Sequence, residues 1–250
     1  MKPTERFGSR AEDYAAGRPS YPDRALDVLL AGLGEPTTVV AVDLGAGTGI
    51  SARLLAARGA QVVAVEPNGP MRAAAVPCLG VEWLDAMAAS TGLPDESADL
   101  VTAFQAFHWF ANDTALREML RILRPGGRAA IVYNERDERD PFTQAYSHVV
   151  RRFSTDDTES RRASGRETFA TFAAWQAVRI IEIPNEHRLD HRELRARVGS
   201  TSYLPHEGAA FEDLTAAIDD IFLRFAVANT VTMHMKTIVT VADTEAAASS

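Results

Sequence analysis

The sequence predicts an α/β fold with a doubly wound, mostly parallel β-sheet. Short apolar runs alternate with helical stretches, which is the order that places helices on both faces of a parallel sheet. The runs are mostly apolar and do not alternate regularly with polar residues, as expected for strands that are covered on both sides. They are residues 39–44, 61–65, 100–104 and 129–133.

Helices are predicted around these strands. In residues 23–33, four leucines recur at steps of three and four residues, the spacing of one buried helix face, and a glycine and a proline then end the pattern. Further helices are expected at residues 50–58, 69–75 and 114–123. The strand and helix signals therefore alternate through the first 133 residues.

The remainder of the chain has a different pattern. Residues 134–166 are charged and poor in apolar side chains, which predicts exposed helices or loops, with a linker between domains as the alternative. Residues 178–183 and 230–241 are β-like, and between them an apolar stripe predicts a helix that packs on the core. Two late strands of this kind suit an antiparallel edge. The stripe consists of Leu214, Ile218, Ile221, Phe222 and Phe225.

Length and composition predict a single domain. The chain has 250 residues, of which 46% are hydrophobic and 24% are charged, enough to bury one sizeable core. We expect a flap at residues 1–22, a ligand-binding core at 37–133, a cap with connecting segments at 134–210, and a final helix and edge strand at 211–241. The run 135–140 (ERDERD) is mixed in sign and is interpreted as a solvated loop.

Charge and cysteine content exclude several classes of protein. A net charge of -8 disfavours a nucleic-acid partner, which usually selects a basic surface, so a small molecule is the expected partner. Cys78 is the only cysteine, which excludes an intramolecular disulfide, and the histidines show no metal-ligand spacing, so no metal site is expected. No apolar stretch suits export or a membrane span, and we expect a cytoplasmic monomer or homodimer without a membrane partner.

The most informative motif is the glycine turn at residues 43–49 (DLGAGTG), between a strand and a helix. Its glycines permit positive backbone dihedrals, so that a ligand can lie against bare main chain. A dinucleotide-binding turn would have a glycine where Ile50 stands, and Asp43 would repel a pyrophosphate but suits a cationic ammonium. Glu66, at the end of the next strand, can accept hydrogen bonds from ribose hydroxyls, and Asp85 could meet an adenine amino group. Together these residues predict S-adenosylmethionine as the cofactor.

Six segments, spread over nearly the whole chain, resemble the motifs of one family. They are YAAGRPSYP at 14–22, DLGAGTG at 43–49, VEPNGPM at 65–71, LPDESADLVTAFQAFHWF at 93–110, LRPGG at 123–127 and STSYLP at 200–205. The chain resembles the class I S-adenosylmethionine-dependent methyltransferases, specifically the type 11 subfamily that includes trans-aconitate-methyltransferase-like enzymes. The resemblance implies a seven-stranded, Rossmann-like sheet with an antiparallel edge strand and a small helical cap, and S-adenosylhomocysteine as the product. In one departure, the stretch 85–92 is longer than in similar proteins and lacks their Glu before Leu-Pro.

The sequence and the resemblance together predict the residues of the site. The cofactor is expected to contact Tyr14, Arg18, Asp43, Gly45, Ala46, Gly47, Thr48, Gly49, Glu66, Pro67, Met71, Asp85, Ala86, Gln105 and Ala106. Arg18 could pair with the methionine carboxylate or with an acidic acceptor. The methyl acceptor is expected to contact Tyr21, His108, Trp109 and Tyr203.

The aromatic segment 105–110 (QAFHWF) follows a strand, at the sheet edge where ligands bind in this architecture. There His108 could bind the acceptor or act as a general base, and the alternative is that it bonds a backbone group while Phe107 and Phe110 are core residues. Tyr203 could close the acceptor side or be a half-buried cap residue. A dedicated base is optional, because a carboxylate acceptor is already ionised at neutral pH.

Three functions remain open from the sequence. The first is methyl transfer to a small molecule, with the resemblance favouring oxygen, as a carboxylate or hydroxyl, over nitrogen or carbon. The second is a nicotinamide-dependent oxidoreductase, which Asp43 and Ile50 oppose, and the third is a non-catalytic binding protein on the same fold.

Overall fold

The computed structural model of the chain describes residues 19–245, which form one seven-stranded mixed sheet. The strand order is β3-β2-β1-β4-β5-β7-β6, in which the first five strands are parallel and β7 runs antiparallel to both of its neighbours. The strands are β1 (Val40–Leu44), β2 (Gln61–Val65), β3 (Val81–Leu84), β4 (Ala98–Phe104), β5 (Leu123–Arg136), β6 (Gln176–Leu189) and β7 (Val231–Asp243). The predicted doubly wound sheet with antiparallel pairing at one edge is confirmed. The reversed strand is β7, which lies between β5 and the outermost strand β6.

The described helices follow the strands as predicted, with additions in the charged segment. They are α1 (Asp23–Leu30), α2 (Ile50–Ala57), α3 (Gly69–Ala73), α4 (Asp113–Ile122), α5 (Pro141–Phe153), α6 (Thr158–Ala170), α7 (His191–Gly199) and α8 (Gly208–Phe225). Short 3₁₀ turns occur at Pro36–Thr38 and Phe107–Trp109. The segment interpreted as exposed helices or loops thus forms the end of β5 and most of two helices.

Two elements differ from the sequence-based prediction. Strand β3 is missing from it, because four half-buried or exposed residues give no continuous apolar run. Strand β6 is much longer than the predicted 178–183, because its outer half is charged and gains its regular structure from pairing with β7 as far as Leu189. Both strands therefore depend on their neighbours more than on local composition.

Helices cover both faces of the sheet. On one face, α1 and α2 pack on β1, β2 and β4, with Leu26 and Leu55 fully buried. On the other face, α4 and the end of α6 pack on the same strands, with Met119 and Phe169 fully buried. Because both faces are covered in this way, the central strands are mostly apolar.

A third core builds the cap. Strand β4 pairs with β5 only as far as Val132, whereas β5, β7 and β6 continue past this point and pair with one another. Around this extension pack α5, α7 and α8, whose buried residues include Tyr146, Leu194 and Ile218. The predicted apolar stripe of the final helix lies in this core. The cap is therefore a continuation of one end of the sheet, and it overhangs the carboxyl ends of β1 and β4.

Candidate active site at the carboxyl ends of the strands

The glycine turn between β1 and α2 lies at the carboxyl edge of the sheet. Gly45, Gly47 and Gly49 all have left-handed backbone conformations, with φ of 69°, 60° and 78°. The amide nitrogens of Gly45 and Ala46 donate to the carbonyl of Val65 at 2.8 and 3.1 Å, which ties the turn to the end of β2. The strand order reverses between β1 and β4, and the crevice beside such a reversal is where ligands bind in sheets of this kind.

Asp43 lies beneath the turn and is fully buried. Its carboxylate accepts hydrogen bonds from the Ser51 hydroxyl at 2.5 Å and from the Thr102 hydroxyl at 2.9 Å. Burial raises the pKa of Asp43 to about 7, although both hydroxyl bonds favour the ionised form. Ser51 faces the cavity described below, and Asp43 does not. The structure thus places Asp43 one layer behind the position expected for a direct ligand contact, from which it can act on a cation through its field.

Glu66 follows β2 and braces the turn from the side. One carboxylate oxygen accepts from the Gly47 amide and the other from the Asn68 amide, each at 2.9 Å. Burial raises the pKa of Glu66, and the two amide bonds oppose this effect. An ionised carboxylate has about four lone-pair sites, so both oxygens retain capacity for a further donor such as a ribose hydroxyl.

The other predicted cofactor residues lie at the ends of neighbouring strands. Met71 is buried on α3, and its terminal carbon is 3.3 Å from where a Cβ on Gly47 would be, so it packs directly under the turn. Asp85, just after β3, forms an ion pair with Arg72 at 2.5 Å, and its side chain is 68% exposed. Asp85 therefore faces solvent at the rim of the predicted adenine site. Pro67 and Ala86 are partly buried, and Ala106 is buried after β4.

A cavity of about 270 Å³ opens between the glycine turn and the cap. On the turn side it is bordered by Gly45, Ala46, Gly47, Thr48 and Gln105 from the predicted set, whereas Gly49, Glu66, Pro67, Met71, Asp85, Ala86 and Ala106 do not border it. Of the predicted cofactor residues, the cavity therefore touches only those of the glycine turn and the residue that follows β4.

Two polar atoms on the turn side fit a polar ligand. The hydroxyl of Thr48 and the side-chain carbonyl of Gln105 are buried, and neither has a hydrogen-bond partner within residues 19–245. Gln105 also has a strained left-handed backbone, with φ of 54°. Buried polar groups without partners are costly, and the ammonium and carboxylate of a methionine tail could satisfy them. With Glu66 positioned for the ribose, the residues present fit S-adenosylmethionine.

The opposite wall is aromatic and charged. Its rings are Tyr21, Phe104, Tyr133, Tyr146 and Tyr203, and its charged residues are Glu135, Arg136, Glu138, Glu159, Arg162, Arg166 and Arg197. Most of these come from β5 and from the cap helices. The predicted acceptor residues Tyr21 and Tyr203 are among them.

Tyr21 is positioned by the segment before α1. The carbonyl of Ser20 accepts hydrogen bonds from the side chains of Asn134 and Asn185, at 3.2 and 3.0 Å. The ring of Tyr21 then packs edge-on against Phe104, with centroids 4.7 Å apart. The predicted contacts Tyr14 and Arg18 lie outside the described residues.

His108 is buried behind the wall and does not border the cavity. Its amide donates to the Tyr133 hydroxyl at 3.0 Å, and its ring Nδ1 lies 3.3 Å from the same oxygen. Gly165 of α6 covers its other side, because a Cβ on that glycine would be 3.3 Å from the Cα of His108. Trp109 also stays off the cavity, under the guanidinium of Arg161 at 5.0 Å. The structure thus presents Tyr133 to the cavity, with His108 supporting it.

Tyr133 was not singled out from the sequence. It is buried at the point where β5 passes β4, and burial raises its pKa to about 12, so that the phenol is neutral at physiological pH. The available signal was its place at the carboxyl end of a predicted strand.

The interpretation of residues 135–140 as a solvated loop is wrong for residues 135 and 136, whereas residues 137–140 do form a turn between β5 and α5. Strand β5 continues through Arg136, which carries Glu135 and Arg136 along the cavity. Glu135 pairs with Arg166 of α6, and Arg136 pairs with Glu159 of the same helix. The sequence could not show this, because the partners are 31 and 23 residues apart and meet only through the cap.

Residues 19–245 contain no group of His, Cys, Asp and Glu side chains suited to a metal ion. In the same part of the chain, no helix combines the length and the apolar character that crossing a bilayer requires.

Comparison with known proteins identifies the family. Residues 42–131 match the family described as "Methyltransferase domain". A methyltransferase-like protein of Schizosaccharomyces pombe is 30% identical over 232 residues, which cover 86% of this chain and 85% of that protein. A malonyl-[acyl-carrier protein] O-methyltransferase of Pseudescherichia vulneris is 30% identical over 174 residues, covering 68% and 66%. Methyltransferases of Mycobacterium are 40% identical over 153 residues, and the chain spans 59% of their length.

A solved methyltransferase structure from Anaeromyxobacter dehalogenans has the same fold. It superposes with a TM-score of 0.66 over 91% of this chain and 97% of that chain, at 22% sequence identity. The family favours methyl transfer over the two alternatives considered from the sequence, whereas the narrower likeness to trans-aconitate-methyltransferase-like enzymes stays a prediction. The glycine turn, the seven-stranded sheet and these relatives agree, and the chain belongs to the S-adenosylmethionine-dependent methyltransferases of the type 11 family.

Proposed function

We propose that the chain transfers the methyl group of S-adenosylmethionine to an oxygen of a small molecule, and that this oxygen belongs to a carboxylate. The proposal is carried by the cavity, which joins the glycine turn and Gln105 to a wall of five aromatic rings and four arginines. Arginines in such a wall favour an anionic acceptor, because the planar guanidinium matches a carboxylate in charge and in geometry. The similarity to an enzyme named as a malonyl-[acyl-carrier protein] O-methyltransferase supports an oxygen acceptor as well.

Methyl transfer to a carboxylate mainly requires that the protein bind the two reactants and hold them in line. S-adenosylmethionine supplies a methyl group on a sulfonium: a carboxylate lone pair forms the new O–C bond, the S–C bond breaks with its electrons remaining on sulfur, and no proton is released. The turn and Glu66 fix one end of the site, and the cap residues hold the acceptor at the other end. Holding two reactants in line replaces the entropy cost of their encounter and can supply much of the rate.

The aromatic rings of the wall have faces that attract cations. Phe104 ends β4, next to Gln105, and Tyr133 lies where β5 passes the end of β4. Aromatic faces stabilise a nearby cation by about 0.5–2 kcal/mol, more when water is absent.

A labelling experiment tests the acceptor atom. The protein is incubated with S-adenosylmethionine carrying a radioactive methyl group and with panels of small carboxylic acids, phenols and amines. We expect label in acids, released as methanol by mild alkali, because methyl esters are hydrolysed whereas methyl ethers and methylamines are not. Alkali-stable label would contradict a carboxylate acceptor, and no transfer to any panel would contradict the activity. As a control for the site, Glu66→Ala is expected to weaken cofactor binding by roughly 1–3 kcal/mol, since it leaves the Gly47 and Asn68 amides unpaired.

A second prediction concerns His108. We expect His108→Ala to leave the affinity for S-adenosylhomocysteine unchanged but to lower kcat/KM for the acceptor, because the imidazole holds the Tyr133 hydroxyl from behind the wall. Tyr133→Phe is expected to give a similar loss, and the double variant no more than either single variant, as for residues that act as a unit. Isothermal titration measures the binding and initial rates measure kcat/KM. Additive losses would show that the two residues act separately.

A further inference from the structure

Most of the charged side chains on the cavity wall already have a partner within the protein. Glu135 pairs with Arg166, Glu159 pairs with Arg136, and Glu138 pairs with Arg151, which lies off the wall. Each of the three glutamates on the wall therefore already has a guanidinium partner. Arg197 lies against the imidazole of His187, with 3.5 Å between the two nitrogens.

Arg162 has no carboxylate partner within residues 19–245. It borders the cavity, and its guanidinium carbon lies 5.9 Å from the centroid of the Tyr203 ring. Its Nε is buried and lacks a hydrogen-bond partner in the described part of the chain. A partly desolvated guanidinium without a counterion is costly, and an anion in the cavity would offset that cost.

Arg162 is held in place by the helix that carries it. It lies one helical turn before Arg166 on α6, and Arg166 is fixed by its pair with Glu135. The guanidinium carbon of Arg166 lies 5.9 Å from the centroid of the Tyr133 ring. Arg162 thus borders the cavity together with the rings of Tyr133 and Tyr203, against which the body of a flat apolar molecule could pack.

We infer that Arg162 binds the carboxylate that receives the methyl group, and that the acceptor is a monocarboxylate with a flat, apolar body. The inference rests on the proposed function and names its substrate class. A bidentate contact orients the carboxylate and leaves lone pairs on its oxygens for attack. Arg136 and Arg166 of the same wall are already paired with glutamates, so neither guanidinium is available to compensate a second carboxylate on the ligand. Methylation converts the anion to a neutral ester, which removes the charge that Arg162 holds and so favours product release.

Binding of simple probes tests the inference. The full chain saturated with S-adenosylhomocysteine is titrated by calorimetry with benzoate, methyl benzoate and isophthalate. We expect benzoate to bind more tightly than either the neutral ester or the dianion. Arg162→Gln is expected to weaken benzoate binding about tenfold or more, as for loss of a charged hydrogen-bonded partner, and to leave methyl benzoate binding unchanged. Arg162→Lys retains the charge but not the two parallel N–H donors of the guanidinium, and its affinity for benzoate is expected to lie between those of the wild type and Arg162→Gln.

Arg192→Gln is the matched control. Arg192 is exposed on α7, does not border the cavity, and its loss changes the net charge by the same amount. We expect it to bind benzoate like the wild type. Equal benzoate affinity in wild type and Arg162→Gln, tighter binding of isophthalate than of benzoate, or no benzoate binding by the wild type would each overturn the inference. The labelling panel tests methyl transfer separately, so transfer to other acids combined with a failed titration would reject Arg162 and the substrate class but not the activity.

Discussion

Asparagine in place of Asp43 is expected to make the cofactor-free protein more stable than the wild type above pH 7, by an amount that shrinks as the pH falls towards 5. Burial raises the pKa of this carboxyl group to about 7 from an ordinary value of 3.8, so the folded chain binds the proton more tightly than the unfolded chain does. The stability gained from this proton is fully present below pH 3.8 and is lost as the pH rises to 7. Between these two pH values the free energy of unfolding falls by roughly 4 kcal/mol, because each unit of pKa difference corresponds to 1.36 kcal/mol.

Asparagine cannot ionise and so removes this pH dependence. Part of this gain in stability is offset, because Ser51 and Thr102 donate to different oxygens of the carboxylate. Asparagine has only one side-chain oxygen, so one of the two hydroxyls loses its acceptor. Thermal unfolding followed by circular dichroism at pH 5, 6, 7 and 8 measures the difference in Tm. Asp113→Asn is the control, since its side chain is 64% exposed on α4. Parallel Tm curves for Asp43→Asn and the wild type would reject the raised pKa.

The same carboxyl group couples cofactor binding to pH. A bound cation favours the ionised form of Asp43, so binding near pH 7 is expected to release a fraction of a proton. Titrations of S-adenosylmethionine in two buffers with different ionisation enthalpies measure that proton. In Asp43→Asn the release is expected to disappear and the affinity to fall. This behaviour would show that Asp43 acts through its field although it does not reach the cavity.

Alanine at Gly45 is expected to cost the protein both stability and cofactor binding. A Cβ at this position would lie 2.7 Å from the Cβ of Ala106 and 3.3 Å from the ring of Phe110, and the backbone φ is 69°. The left-handed conformation alone costs a residue other than glycine about 1–2 kcal/mol. The contact with Ala106 adds to this, because relief would require the main chain after β4 to move.

Gly92→Ala separates the two costs. Gly92 has φ of 74°, but a Cβ there would meet nothing within 4 Å, so it has the strain without the clash. In urea denaturation we expect Gly92→Ala to lose about 1–2 kcal/mol, from strain alone. In Gly45→Ala the free energy of unfolding is expected to fall by about 1–3 kcal/mol more than in Gly92→Ala, because overpacking adds to the strain. We also expect Gly45→Ala to bind S-adenosylhomocysteine weakly. Equal losses in the two variants would show that close packing at Gly45 does not matter.

The donor side of the site could be largely predicted from sequence because its requirements are local. Gly45, Gly47 and Gly49 are needed where the chain takes positive φ between a strand and a helix, and Glu66 follows the next strand directly. Parallel strands bring their carboxyl ends to one edge, so these residues had to lie together once the alternation of strands and helices was recognised. Sequence alone could not show that Asp43 is shielded by Ser51, since that depends on how α2 packs on β1.

The acceptor side could not be predicted in the same way. The fold class, the turn and S-adenosylmethionine could be predicted from the sequence, because period, glycine placement and strand-end carboxylates involve neighbouring residues, and the family then excluded a nicotinamide enzyme. The wall that faces the acceptor depends on tertiary packing, because β5 continues past β4 and brings Glu135 and Arg136 under α6. Glu135 and Glu159 are thereby taken up by Arg166 and Arg136, and Arg162 has no carboxylate partner within residues 19–245.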